Sequence, residues 1–359
     1  MLSLLLAVAC FTPDAPELDV ETIPFENEWV KADDAVLRPL TIDGLLCPDG
    51  EPATVFAVYR TGLTEAAPVV VVFHSGAFDY VLNPDPLDPL SREHYRRDNR
   101  LSGEWARTRV FETLGLVDSE SGDPGEENNG ALAAALVDSN TFALYPANCW
   151  GDLWHNEYGY YRNDGGEGFE RNGRYLAWAT AGITSKDPAE SSKFRSNLGL
   201  GDQLEVPLDV SQVYMVGLGD GSRAIMELLW RGTNMPTVAG AIVDSPPDRM
   251  DWYVANQGQY PEVVSGLDRI YTDDLARVGN FSMEVYVRTK GFSYLLQNSL
   301  QLYYSSGDPS VPDNLVTPLA AQAATHPELT VVDTRETAHV QLNNNLSLAR
   351  GAIDEMLGN

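Results

Sequence analysis

The stretch Gln212-Val-Tyr-Met-Val-Gly217-Leu218-Gly219-Asp220-Gly221-Ser222-Arg-Ala-Ile-Met-Glu-Leu-Leu229 decides the fold. Val213 to Val216 is a short apolar run of the kind found in strands covered on both faces. Ala224 to Trp230 carries a helical pattern. Between them stand Gly217, Gly219 and Gly221, so the chain passes from strand to helix through one tight turn from which side-chain volume has been removed. A strand that runs straight into a helix is half of a βαβ unit, and it points to a parallel sheet.

The pattern repeats outward from this stretch. Upstream, Pro68-Val-Val-Val-Val-Phe-His74 is an unbroken apolar run rich in β-branched residues, followed by Ser75, Gly76 and Ala77. Further continuous runs lie at Thr141 to Tyr145, Val238 to Val243, Leu300 to Tyr304 and Leu329 to Val332. Helical patterns at Trp105 to Leu116, Ala131 to Val137, Arg174 to Ile183, Ala224 to Trp230 and Leu315 to Ala324 alternate with them. The expected class is α/β, a doubly wound, mainly parallel sheet with helices on both faces. Val36 to Ile42 and Ala53 to Tyr59, joined by Cys-Pro-Asp-Gly-Glu-Pro, read as a hairpin at a sheet edge. A final helix is expected from about Val340 to Leu357.

With 359 residues, 43% of them apolar, the chain can bury one core of ordinary size. One domain is expected over 35–359, with loop insertions at about 79–104, 117–130 and 151–173. Residues 11–34 are acidic and proline-containing and read as an exposed tether. The formal charge is −28, from 52 acidic against 24 basic residues, and lysine occurs only at 31, 186, 193 and 290. Such a surface repels phosphate backbones and anionic lipid heads, which excludes nucleic acid as an expected partner.

The N-terminus, Met1-Leu-Ser-Leu-Leu-Leu-Ala-Val-Ala-Cys10, is too short to span a bilayer. It resembles the end of a bacterial lipoprotein signal, with Cys10 as the lipidated residue, although no Lys or Arg precedes it and Ala7 stands where Leu is usual. On that reading the protein is exported, as a cell-envelope lipoprotein or a secreted protein, and meets a membrane only through the lipid. On the other reading the apolar start packs on the domain. Cys47 and Cys149 then remain, either as one disulfide in an oxidising compartment or as two buried thiols. There is no CxxC and no Cys/His cluster at zinc spacing, so neither a metal nor a cofactor is expected.

The three-glycine turn carries a resemblance. In α/β-hydrolases the nucleophile sits on a strand-to-helix turn written G-x-S-x-G, with small residues two before and two after it. Residues 35–357 resemble that family, especially its secreted esterase and serine-peptidase-like branches, with Gly217 and Gly221 in the flanking positions. The resemblance implies that Gly219, which has no side chain, occupies the nucleophile's position. It implies that His74, Ser75, Gly76 and Ala77 form an HGGG-type oxyanion loop, with the backbone N–H of Asp220 as a second donor. It implies Asp308, in Tyr303-Tyr-Ser-Ser-Gly307-Asp308-Pro309-Ser-Val-Pro312, as the acid, and His339, after the last strand, as the base. Asp308 would hold the imidazole of His339 in one tautomer.

Two other residues could attack. Ser222 is followed at two positions by the small residue Ala224, but it falls in the first helical turn. Asp220 would act as the carboxylate does in haloalkane dehalogenases, but it would put Leu218 where a small residue is required. Trp150, Asp152 and Trp154, which follow the strand ending at Tyr145, suit a sugar face or a cationic ligand, or else pack the loop onto the domain. Asp244 to Trp252 begins the region where hydrolases insert a lid. The expected function is that of an exported pseudo-hydrolase that binds a small molecule, glycan or peptide. The alternatives are an active ester or amide hydrolase using Ser222, Asp220 or a water activated by His339, and a structural envelope protein with a vestigial pocket.

Overall fold

A computed structural model describes residues 22–46, 52–74, 103–116, 129–147, 208–219, 221–222, 225, 238–246, 299–307, 320–321, 324–326, 329–335 and 340–358. Among these, nine strands form one sheet in the order β1-β2-β3-β5-β4-β6-β7-β8-β9. They are β1 (Ile23–Pro24), β2 (Ala35–Leu46), β3 (Pro52–Arg60), β4 (Ala67–Phe73), β5 (Phe142–Pro146), β6 (Leu208–Leu218), β7 (Gly240–Asp244), β8 (Ser299–Tyr304) and β9 (Leu329–Asp333). β1, β2, β3 and β5 pair antiparallel in turn. From β5 through β4, β6, β7 and β8 to β9 every pairing is parallel.

Every residue of β5 and β7 is buried, as the unbroken apolar runs require, because a parallel strand is covered on both faces. Helix α1 (Gly103–Leu114) meets β3, where Phe111 and Phe56 make an edge-to-face pair with ring centroids 5.0 Å apart. Helix α2 (Ala131–Asp138) has the sequence Ala-Leu-Ala-Ala-Ala-Leu-Val-Asp and buries its first seven residues. Alanine combines the best helix propensity with little volume, which lets α2 lie close to β3 and β5 on one side and to the C-terminal helix on the other.

Two expectations are corrected. The final helix is two helices, α3 (Gln341–Asn344) and α4 (Leu346–Leu357), because Asn345 between them is extended and its side chain accepts from the Leu348 N–H as an N-cap. The tether does not reach residue 34. Ile23 and Pro24 pair with β2, and Phe25 and Val30 are buried in the core. Asn27 fixes this segment: its amide donates to the Leu114 carbonyl at 3.0 Å, and its side-chain oxygen accepts from the Trp29 and Val30 N–H groups. An asparagine that satisfies backbone groups on both its own loop and a helix end gives an acidic segment a reason to pack.

Candidate active site

The chain leaves β4 toward β5 on one side, while β6 lies on the other side of β4. The carboxyl ends of β4 and β6 therefore flank the point where strand order switches direction, which is where ligands bind in open α/β sheets. Phe73, the last residue of β4, is in register with Gly217 of β6.

The turn after β6 is closed by two main-chain hydrogen bonds. The Gly219 N–H donates to the Asp244 carbonyl at 2.8 Å, and the Ser222 N–H donates back to the Gly219 carbonyl at 3.0 Å. Gly219 has φ of 53°, in the left-handed region that favours glycine. The flanking glycines are held by space. A Cβ on Gly217 would stand 2.6 Å from the Ser222 Cα, and one on Gly221 would overlap the Phe73 carbonyl oxygen and stand 2.8 Å from that of His74. The turn thus folds on itself and onto the end of β4, so the structure brings His74 and the Gly219 turn together. His74 itself is buried.

Ser222 is fully buried. Its hydroxyl donates to the Gly217 carbonyl at 2.9 Å and lies 3.3 Å from the Asp244 carbonyl, tying the first helical turn to the strand it left. Asp220, Ser75, Gly76, Ala77, Asp308, His339, Trp150, Asp152, Trp154, Cys10, Cys47 and Cys149 lie outside the described residues, as does the predicted helix over 174–183.

Asp244 and Ser245, read from the sequence only as the start of a lid region, and Asp333, which sequence reasoning did not single out, join the described strand ends. Asp244, the fully buried last residue of β7, accepts from the Ser245 hydroxyl at 2.9 Å and from the Leu342 N–H at 2.7 Å. The Ser245 hydroxyl also accepts from the Val340 N–H at 3.1 Å. At the end of β9, Asp333 accepts from the N–H and the hydroxyl of Ser306, both at 3.0 Å, and from the Arg335 N–H at 3.1 Å. Burial works to raise the Asp333 pKa, but the Ser306 and Arg335 hydrogen bonds and the Arg335 charge outweigh it and hold the carboxyl below its ordinary value. Burial, and then the negative charges of Glu355 and Asp244, push the Tyr303 phenol up to about 12, and it donates to the Gln301 side-chain oxygen at 3.0 Å. The only sequence signal for Asp244 and Asp333 is an acid at the carboxyl end of an apolar strand. Among the described residues no group of three or more His, Cys, Asp or Glu could hold a metal ion, and no helix is long and apolar enough to cross a membrane.

No protein-family model matches the chain, and no curated protein matches it. Solved structures do. A thermostable esterase from Pseudomonas putida ECU1011 is similar at 14% identity and a TM-score of 0.51, over 92% of this chain and 83% of that one. An esterase from Pyrococcus furiosus is similar at 10% identity and a TM-score of 0.45, over 94% of this chain and 98% of that one. A rice cell wall degrading esterase from Xanthomonas oryzae is similar at 12% identity and a TM-score of 0.40, over 90% of both chains. The mixed, mostly parallel sheet, together with the likeness to the Pseudomonas enzyme, defines a fold of the α/β-hydrolase type.

Proposed function

We propose that this chain is a pseudo-hydrolase, an α/β-hydrolase scaffold that has kept a crevice at the switch point for a small molecule, glycan or peptide and has lost the attacking group. The observation that carries this reading is the turn after β6, where a glycine with a left-handed backbone sits between two glycines that admit no side chain. The hydroxyl of Ser222, in the same turn, is buried and donates to the Gly217 carbonyl. Freeing it would cost the turn a buried hydrogen bond, which argues against Ser222 as nucleophile. In serine hydrolases, what remains without the nucleophile is a residual advantage over water of roughly 10³–10⁴. Binding is the use of the crevice that survives that loss.

The test is Gly219→Ser with a fluorophosphonate probe and short acyl esters. A serine there adopts a left-handed backbone at roughly 1–2 kcal/mol, a cost the surrounding turn can absorb. The native protein is expected to stay unlabelled, and the serine variant to label in a way that His339→Ala abolishes. Ester hydrolysis by the native protein that disappears in His339→Ala would overturn the proposal.

A further inference from the structure

Of the four described residues other than glycine that have left-handed backbones, two, Ser245 at φ of 51° and Val340 at 55°, are bonded to each other through the Val340 N–H and the Ser245 hydroxyl. A β-branched residue is a true outlier in that region, and such strain persists only where the surroundings over-determine it. Here they do. The Ser245 N–H donates to the Tyr303 carbonyl at the end of β8, its hydroxyl donates to the Asp244 carboxylate, and the other carboxylate oxygen of Asp244 takes the Leu342 N–H. The main-chain carbonyl of the same Asp244 holds Gly219. Val340 is the residue after His339. Helix α3 spans only four residues and cannot set its own position, since so short a helix gains little from its own hydrogen bonds.

We propose that Asp244 and Ser245 are positioning residues, binding the chain where it leaves His339 to the same β7 terminus that holds the Gly219 turn. This rests on the hydrolase reading of Gly219 and His339. Asp244 serves both sides, through its carbonyl toward the turn and its carboxylate toward α3. Ser245 extends the carboxylate by one hydroxyl and thereby reaches Val340.

Amide exchange followed by NMR on the full chain, with the ring signals of His339 assigned by their loss in His339→Gln, tests the proposal. Ser245→Ala is expected to speed exchange at Val340 by about tenfold or more, the effect of one lost hydrogen bond, while Gly219 keeps its protection. It is also expected to shift the His339 imidazole signals. Asp244→Ala should release Leu342 as well, whereas Asp244→Asn, which keeps an acceptor, should restore Leu342 protection and the imidazole signals. Unchanged exchange at Val340 and Leu342, an equal acceleration throughout β6 and β7, or imidazole signals that do not move would each overturn the proposal. In the Gly219→Ser background, Ser245→Ala should slow probe labelling by about tenfold or more, in step with the lost hydrogen bond. If Gly219→Ser never labels, the hydrolase reading fails, while exchange and the imidazole signals still decide the role of Asp244 and Ser245.

Discussion

The turns that feed the parallel strands and the turns that leave them are built from different residues. Entering β4 and β5, the left-handed positions are Gly62 and Asn140, residues that adopt this backbone at little cost. Leaving β7 and β9, and beyond, the left-handed positions outside glycine are Ser245, Arg335 and Val340, which do not. The glycines differ in the same way. A Cβ on Gly62 would meet nothing within 4 Å, whereas on Gly217 or Gly221 it would run into main chain. Ordinary chain reversal suffices at the entrance. At the exit the backbone is held in a costly and crowded form, which is the signature of a place where geometry has been specified.

The strongest way to break that contrast is Gly221→Ala. The added methyl group would meet the Phe73 and His74 carbonyls, which are main-chain atoms and cannot rotate away. A loss of about 3 kcal/mol or more is expected, at the upper end of overpacking effects, and urea unfolding measures it. Gly62→Ala adds no clash and should cost roughly 1–2 kcal/mol from its backbone alone. Equal losses at the two positions would erase the distinction.

A smaller effect is expected at Asp333, which ties the turn after β8 to the end of β9. Its folded pKa is lowered, so its contribution is complete above the unfolded value and is lost as pH falls through the folded one. Asp333→Asn should therefore lose about 1–2 kcal/mol at neutral pH, where the native carboxylate accepts charge-assisted hydrogen bonds from Ser306. The difference between the two proteins should shrink as pH drops below about 4. A difference that grows on acidification would contradict the assignment.

The contrast also explains what could be read without coordinates. Buried parallel strands announce themselves, because both faces must be apolar, and the runs at 68–73, 141–145, 213–216, 238–243, 300–304 and 329–332 each overlap a strand, those at 141 and 238 starting one and two residues early. The turn at Gly217, Gly219 and Gly221 is legible for a related reason, since three glycines in five positions remove volume that only a close approach requires. Asn27 was not legible, because the Leu114 carbonyl it satisfies lies 87 residues away. Nor were Asp244 and Ser245, whose partners Leu342 and Val340 are 98 and 95 residues distant. A polar residue after a strand looks the same in sequence whether it faces solvent or ties two loops together. The break at Asn345 did carry a local sign, an asparagine able to cap the helix that follows.

The smallest effect sharpens the contrast from the relaxed side. Gly351 is an exposed interior residue of α4, and a Cβ there would meet nothing within 4 Å. No positive φ or close neighbour demands glycine, so its only effect is to widen the conformational freedom of the unfolded chain and to leave helix backbone uncovered. Gly351→Ala should raise stability by about 0.5–1 kcal/mol, read as an upward shift of the urea midpoint at unchanged slope. A side chain at Gly351 would touch no other part of the chain, so probe labelling of a Gly219→Ser variant should not change with it. If Gly351→Ala destabilises instead, open space around a glycine does not free it, and the clash that a Cβ would make ceases to tell which glycines the fold requires.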